Sequence, residues 1–162
     1  MAHERRRDVA FIGPSLPFIG GKNAINDNSV AFILEYKHFR MLFTGDAGST
    51  AGRRFLSECI DLHADVLKVG HHGSKTSTMA PFLEAVSPSI AIISAGYENS
   101  FGHPHPDVVR RLEERHITIL RTDNDGLVTV RTDGQNLAFD SMAWGGPRFG
   151  QPPAFDLSPP TP

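Results

Sequence analysis

Short apolar segments that end abruptly at polar residues are the feature that most constrains what this chain can fold into. Residues 40–44, 64–69 and 89–94 are each five or six mainly apolar residues, with Asp, His or Asn following within a few positions. Apolar runs of this length are typical of buried strands. Helix signals follow each of them, at residues 49–60, 78–86 and 106–116. The alternation predicts an α/β fold in which helices cover a mixed sheet.

Further strands are predicted on either side of this central region. They are expected at residues 8–13, 29–36, 117–121, 127–132 and 136–140. Residues 29–36 and 40–44 are separated by a short polar turn and are expected to pair as a hairpin. Asp125-Gly126 and Asp133-Gly134 are typical two-residue hairpin turns, so they are expected to join the last three strands.

Composition excludes some function classes. The formal net charge of −2 rules out the strongly basic surface of a general nucleic-acid binder. No apolar run approaches the ~20 residues of a transmembrane helix, so a soluble, cytoplasmic chain is expected. Cys59 is the single cysteine; it excludes an internal disulfide and is expected to be buried. One domain is predicted over 1–144, followed by a flexible tail, rich in Gly and Pro, over 145–162.

The polar residues after the strands form candidate metal-binding clusters. Asp46 follows the strand at 40–44, and a carboxylate beside a glycine can bridge two divalent cations. Capping of the next helix is the alternative for Asp46. His71 and His72 follow the strand at 64–69. In extended backbone adjacent side chains point to opposite sides, so one imidazole can bind metal while the other contacts substrate.

A second histidine pair follows the strand at 89–94. His103 and His105 flank a proline and can face the same side, which is chelating geometry; a loop leading into a helix is the alternative. Polar residues near the three clusters are candidate substrate contacts or, alternatively, ordinary turn residues. They are Asn28, Ser29, Ser74, Lys75, Asn99 and His105.

Read together, these segments resemble a known family. The strings NDNSVAF, LFTGD, ADVLKVGHHGSKTS, ISAGYENSFGHPHPDVVRRL and ILRTDNDG resemble the C-terminal part of the metallo-β-lactamase-like domain of ComEC-type DNA-internalisation competence proteins. They are also similar to related stand-alone hydrolases. The resemblance covers roughly residues 23–132. It rests on the order of the motifs N-x-x-S, TGD, HHGS and GHP.

The resemblance implies an αββα sandwich and a site for one or two zinc or manganese ions. Asp46 matches the bridging carboxylate of that site. One histidine of the His71/His72 pair matches a metal ligand, with a slight preference for His72, and the other matches a substrate contact. His103 matches a histidine that lines the site and touches substrate, whereas His105 is less typical of the pattern. The reaction implied is hydrolysis of a phosphodiester or similar ester, including nuclease action on DNA.

One departure from the family limits these expectations. The H-x-H-x-D-H string that supplies the family's first ligands is absent from this sequence, so the resemblance covers the C-terminal half of the sandwich. Three hypotheses follow. The chain is part of a hydrolase completed by an N-terminal half or a second copy; or it is self-sufficient, with His103 and His105 replacing the missing ligands; or it is a non-catalytic interaction module. The resemblance also gives an alternative to the cytoplasmic localisation: as a domain of a membrane competence protein, the chain would lie outside the cytoplasm.

Overall fold

A computed structural model describes residues 7–20, 23–142 and 155–156. Nine strands form two sheets: β1 (Arg7–Gly13), β2 (Ala31–Tyr36), β3 (Phe39–Phe43), β4 (Val66–Lys68), β5 (Ile90–Ile93), β6 (Thr118–Arg121), β7 (Leu127–Thr132), β8 (Asn136–Met142) and β9 (Phe155–Asp156). The α-helices are α1 (Ala24–Asp27), α2 (Ser49–Ser57), α3 (Ala80–Val86), α4 (Pro106–Glu113) and α5 (Thr122–Asp125). A 3₁₀ turn, Gly70–Gly73, follows β4 and is called the HHG turn below.

The larger sheet is mixed and has six strands in the order β1-β2-β3-β4-β5-β6. Its first three strands are antiparallel, and β3 to β6 run parallel to one another. The parallel strands are joined through α2, α3 and α4, as crossover connections require. Because these strands are parallel, the loops that follow β3, β4 and β5 leave the sheet at the same edge.

One face of this sheet is covered by helices. Alternate strand residues such as Ile33, Leu42 and Leu67 pack there against Phe55 of α2 and Leu112 of α4. All five side chains are almost fully buried. Complete burial of a side chain of this size contributes roughly 1.5–3 kcal/mol, so this layer holds the parallel strands and their loops in place.

The other face is covered in part by the smaller sheet, β7-β8-β9. Leu137 of β8 packs against Phe39, Val66 and Ile90 of the larger sheet. The cover does not reach β1, where Phe11 stands 75% exposed at the end of an aromatic row through β2 and β3. Apolar surface is therefore exposed on this face of the sheet at its β1 end.

The predicted α/β class is confirmed, as are the first hairpin and the turn at Asp133-Gly134. The hairpin predicted at Asp125-Gly126 is wrong, since β6 and β7 belong to different sheets and the chain between them turns through α5. The expectation that Cys59 is buried is also wrong, because its side chain is exposed just beyond α2. In the predicted tail, 155–156 pair with β8, and the rest lies outside the described residues.

None of the helices in the described ranges has both the length and the apolar character needed to cross a membrane.

Candidate metal and substrate site

The loops after β3, β4 and β5 meet at one edge of the larger sheet, where active sites of layered α/β proteins collect. Asp46 lies in the loop after β3, and His71 and His72 lie in the HHG turn after β4. His103 lies in the loop between β5 and α4. The structure thus brings together the four residues for which metal-binding or catalytic roles are predicted.

The HHG turn corrects the expectation that its histidines are extended. His71 (φ 46°, ψ 47°) and His72 (φ 53°, ψ 22°) both adopt the left-handed conformation. Each such residue costs on the order of 1–3 kcal/mol unless the surroundings enforce it, and such residues cluster at functional sites. Here His71 N donates to the Gly45 carbonyl at 3.0 Å, so the turn is tied to the loop that carries Asp46.

His72 is oriented as a metal ligand would be. Its Nδ1 lies 2.7 Å from the carbonyl oxygen of Ser94. A carbonyl can only accept, so Nδ1 carries a proton, and in the neutral form of the ring Nε2 keeps its lone pair. That Nε2 lies 3.7 Å from Oδ1 of Asp46. Fixing one ring nitrogen on a carbonyl while the other points at a second donor is the usual support of a metal-binding histidine.

Asp46 is held by the segment before β2. Its backbone N–H donates to the hydroxyl of Ser29 at 3.0 Å. A Cβ added to Gly45 would lie 2.7 Å from Cβ of Ser29, and Gly45 has a φ of +54°, so glycine is required at this close approach. Asn28 fixes the same segment by exchanging hydrogen bonds with the backbone of Phe18 at 2.8 and 3.0 Å. Asn28 and Ser29 thus support the loop that carries Asp46.

Asp27 is a buried acidic residue near the site that sequence reasoning missed, and its role is to cap a helix. Its carboxylate is buried, with the residue 5% exposed, and Oδ1 accepts from the backbone N–H groups of Gly48 at 3.0 Å and Ala51 at 3.4 Å. It therefore caps α2, whose own N-cap residue is a glycine without a side-chain acceptor. That glycine was the signal available in the sequence, since a helix start without a capping side chain needs an acceptor from elsewhere.

His71 and His103 lie edge to face, with ring centroids 5.8 Å apart. The Nε2 atom of His71 lies 3.5 Å from the amide nitrogen of Asn26. Nδ1 of His103 is buried and has no hydrogen-bond partner among the residues that the structure describes. Burial lowers the pKa of His103, and the neighbouring His71 and His72 lower it further. The imidazole of His103 is therefore biased toward its neutral form, which can accept a proton.

Lys68 is a second charged residue that the sequence reasoning passed over. It ends β4, and its Nζ donates to the carbonyl of Val69 at 2.9 Å. Burial lowers the pKa of Lys68, while the negative charge of Asp46 opposes that effect. A half-buried cation thus lies within electrostatic reach of Asp46.

Three other predicted residues lie nearby, with their polar groups engaged in the protein. His105 accepts from the backbone N–H of Asp107 at 3.1 Å and so caps α4. Ser74 is buried, with its hydroxyl 3.1 Å from that of Thr76. Lys75 is largely exposed, and its Nζ lies 4.0 Å from the carboxylate of Asp107. Of the three, Lys75 has the charged group that is most accessible to a substrate.

The loop around His103 is closed by Asn99. The amide nitrogen of Asn99 donates to the carbonyls of Gly96 at 2.9 Å and His103 at 2.6 Å. Its oxygen accepts from the backbone N–H of His103 at 3.0 Å. Asn99 therefore fixes where His103 stands.

The ligand atoms at this site are of the types that bind divalent metals, but they are fewer than a catalytic metal ion needs. Asp46 and His72 offer an oxygen and a nitrogen that converge, and both types suit zinc. A catalytic zinc normally has three protein ligands. No group of three or more His, Cys, Asp or Glu side chains in the described ranges is arranged to hold an ion. His103 and His105 in particular do not form a chelating set with Asp46 and His72.

Comparison with known proteins gives relatives but no matching family model. The chain is 36% identical over 127 residues to ComE operon protein 3 of Bacillus subtilis strain 168, which covers 77% of this chain and 16% of the relative. It is 35% identical over 122 residues to competence protein ComA of Neisseria gonorrhoeae. The matched region is 74% of this chain and 17% of that relative. Recombination protein 2 of Haemophilus influenzae is 37% identical over 107 residues, covering 66% and 13%.

The chain thus spans 13% to 17% of the length of these relatives. The matched region covers at least 66% of the chain. This chain is homologous to one region of the competence proteins of the ComEC/ComE family.

Proposed function

We propose that this chain carries part of a metal-dependent hydrolase site that cleaves phosphodiester bonds in DNA during its uptake. The observation that carries the proposal is the orientation of His72, whose Nδ1 is fixed on Ser94 while Nε2 faces the carboxylate of Asp46. The names of two relatives, a competence protein and a protein of the ComE operon, support DNA as the substrate. The same contact would be an ion pair if His72 were protonated, and metal retention is the measurement that separates the two roles.

The fold proposed for the complete site is the αββα sandwich. The chain contributes a layer of helices, the six-stranded sheet and the smaller sheet. The exposed Phe11 and its aromatic row at the β1 end are where a further layer would pack. A remaining stretch of polypeptide, a second copy of the chain or a partner subunit would provide it, together with the missing metal ligands.

Asp46 and His72 would hold a zinc or manganese ion, one or two per complete site. Bound there, such an ion would supply the means to activate a water and to stabilise negative charge on the phosphate. His103, whose pKa is lowered chiefly by burial, accepts a proton or forms a hydrogen bond with the departing oxygen. His71 contacts the substrate from the other side of the HHG turn, and Lys75 offers its ammonium to a phosphate oxygen.

The proposal is tested first by metal retention. Purified chain is dialysed against zinc or manganese, then against metal-free buffer, and bound metal is counted by elemental analysis. We expect retention that drops in Asp46→Ala and His72→Ala, because each removes one of two converging donors. The exposed His38 provides the matched control, and His38→Ala is expected to retain as much metal as the unmodified chain.

Cleavage is tested next, on a fluorescently labelled DNA strand with and without added manganese. Metal-dependent cleavage that is lost in His103→Ala and Asp46→Ala supports the proposed hydrolase. Equal metal retention by the chain and by Asp46→Ala would overturn the assignment of Asp46. Equal metal retention by the unmodified chain and by His72→Ala would overturn the assignment of His72.

A non-catalytic interaction module is the second candidate, and one observation favours it. The described residues bring only two metal donors together, while Phe11 leaves apolar surface open at the sheet edge. Such a module would bind its partner equally well in Asp46→Ala and His72→Ala. Loss of partner binding in Phe11→Ser, with no metal bound by the resulting complex, would favour the module over the hydrolase.

A further inference from the structure

A cavity of about 260 Å³ opens beside the candidate metal site. It is lined by His72, Ala95, Gly96, Asn99, Phe101 and His103. Pockets that enclose a drug-sized ligand measure ~300–1,000 Å³, so this smaller cavity suits a single flat ring system. Because His72 and His103 form one wall, whatever occupies the cavity lies directly next to the groups assigned to catalysis.

The most exposed part of the cavity wall is aromatic. Phe101 is 81% exposed, and its ring stacks at 26° on the ring of His103, with centroids 6.1 Å apart. Aromatic rings pair favourably in such offset arrangements, and a pair contributes about 0.5–1.5 kcal/mol beyond the area it buries. A large ring left in solvent beside a reactive site can extend the stack by accepting another flat ring.

The cavity offers few accessible polar groups with which to read the edge of a base. Nδ1 of His103 has no partner among the described residues, but it is buried. Asn99 is the amide in its wall, and both its nitrogen and its oxygen are already bonded to the backbone of Gly96 and His103. His72 likewise uses Nδ1 on the Ser94 carbonyl. A ring bound here would therefore be held by its face, whichever base it belongs to, which is how sequence-tolerant single-strand binders work.

Charge alone would not hold a nucleic acid on this chain. The formal net charge is −2, and the exposed Lys75 lies 4.0 Å from Asp107. Phosphate neutralisation, which provides most non-specific affinity in other proteins, is therefore weak here. Stacking is the contribution that the structure has available beside the site.

We propose that Phe101 and this cavity form a nucleobase-stacking subsite that selects single-stranded DNA. A base within a duplex is stacked on its neighbours and offers no face, whereas an unpaired base can leave the strand and rest on the ring. The phosphodiester bond next to that base is thereby presented to His72 and His103. The choice of DNA rests on the proposed function; the stacking subsite rests on the cavity and Phe101.

The test is binding of a dye-labelled, mixed-sequence single-stranded oligonucleotide, followed by fluorescence anisotropy at low ionic strength with a chelator present. We expect Phe101→Ala to weaken binding by roughly 5- to 150-fold, the usual worth of one base–aromatic stack, and Phe101→Trp to preserve it. Tyr97 is the matched control: it belongs to the same loop and is 66% exposed, but it does not line the cavity. Tyr97→Ala is expected to bind like the unmodified chain.

Two further probes separate stacking from general contact. An oligonucleotide with 2-aminopurine reports stacking directly, and its fluorescence is expected to fall on binding to the unmodified chain but not to Phe101→Ala. A strand of abasic sites is expected to bind as weakly as Phe101→Ala binds the normal strand. Equal affinity of the unmodified chain and Phe101→Ala, equal affinity for duplex and single strand, or no binding at all would overturn the subsite.

These measurements are independent of hydrolysis, since no metal is present. A chain that stacks bases but retains no more metal than Asp46→Ala and His72→Ala would refute the proposed metal site and leave the subsite standing. A chain that retains metal and cleaves DNA equally well in Phe101→Ala would refute the subsite and leave the hydrolase standing.

Discussion

Replacement of Asp27 tests whether this buried carboxylate organises the loop that carries Asp46. In Asp27→Ala the N-terminus of α2 loses its acceptor, and the N–H groups of Gly48 and Ala51 stay buried without a partner. Loss of a helix cap costs about 0.5–2 kcal/mol, and a buried unsatisfied donor about 1–3 kcal/mol. Since the second bond is long, at 3.4 Å, we expect a total of about 2 kcal/mol in the free energy of unfolding.

Asp27→Asn is the informative companion, because it keeps an oxygen acceptor of the same shape. It loses only the attraction between the carboxylate and the helix N-terminus, about 0.3–1 kcal/mol. Urea unfolding followed by circular dichroism measures both variants. For a chain of 162 residues, Asp27→Ala should also lower Tm by roughly 4–8 °C. The exposed Asp8 provides a control, and Asp8→Ala is expected to stay within about 0.5 kcal/mol.

Two results would refute the reasoning about Asp27. An Asp27→Ala variant as stable as Asp8→Ala would mean that the cap contributes nothing. An Asp27→Asn variant as unstable as Asp27→Ala would mean that the acceptor oxygen is not what matters. If the cap does fix the loop, Asp27→Ala also retains less metal than Asp27→Asn in the dialysis experiment.

Three shorter predictions follow from other contacts. Gly73→Ala should lower the free energy of unfolding in urea by at least about 2 kcal/mol, because the new Cβ would lie 2.7 Å from Pro104. Gly20 has the same φ of +78° but lies in open space, so Gly20→Ala should lower it by about 1 kcal/mol. Backbone N–H groups three and two residues further on lower the pKa of Asp133 to about 2. The part of the stability difference between the unmodified chain and Asp133→Ala that depends on the charge of Asp133 should therefore be present above pH 3.8, the ordinary value, and be lost as the pH falls through about 2. Ser29→Ala should cost about 1 kcal/mol and reduce metal retention, since Asp46 loses its hydroxyl acceptor; unchanged retention would contradict this role.

The sequence predicted the parts of the fold that follow from periodicity. The short apolar runs form the parallel strands. The segments between them form helices, because their apolar residues recur at helical spacing. The common edge for Asp46, the HHG turn and His103 could also be predicted, since parallel strands release their loops on one side. Periodicity does not predict that β6 joins the larger sheet while β7 and β8 join the smaller one. Asp125-Gly126 is a typical hairpin sequence, but burial of Leu137 and its neighbours against the larger sheet decides how these strands pair.

Side-chain orientation within the site was beyond the sequence for a different reason. Adjacent histidines alternate only in extended backbone, and His71 and His72 are left-handed because contacts from other loops hold them so. Such contacts join residues far apart in the chain, so no local pattern reports them. Asp27 likewise bonds Gly48 and Ala51, which lie 21 and 24 residues further along the chain. The sequence shows only that Gly48 has no side chain with which to cap α2.

The way the loops interlock bears on the choice between the two proposed functions. His71 N donates to the Gly45 carbonyl at 3.0 Å, and His105 N donates to the Gly73 carbonyl at 2.8 Å. Left-handed backbone does not by itself separate the two functions, because Lys37, Ser87 and Glu98 adopt it as well. What these contacts do is hold His72 with its Nε2 facing Asp46. Two ligands held in this way need no rearrangement when a metal binds, so the interlocked loops fit the proposed metal site.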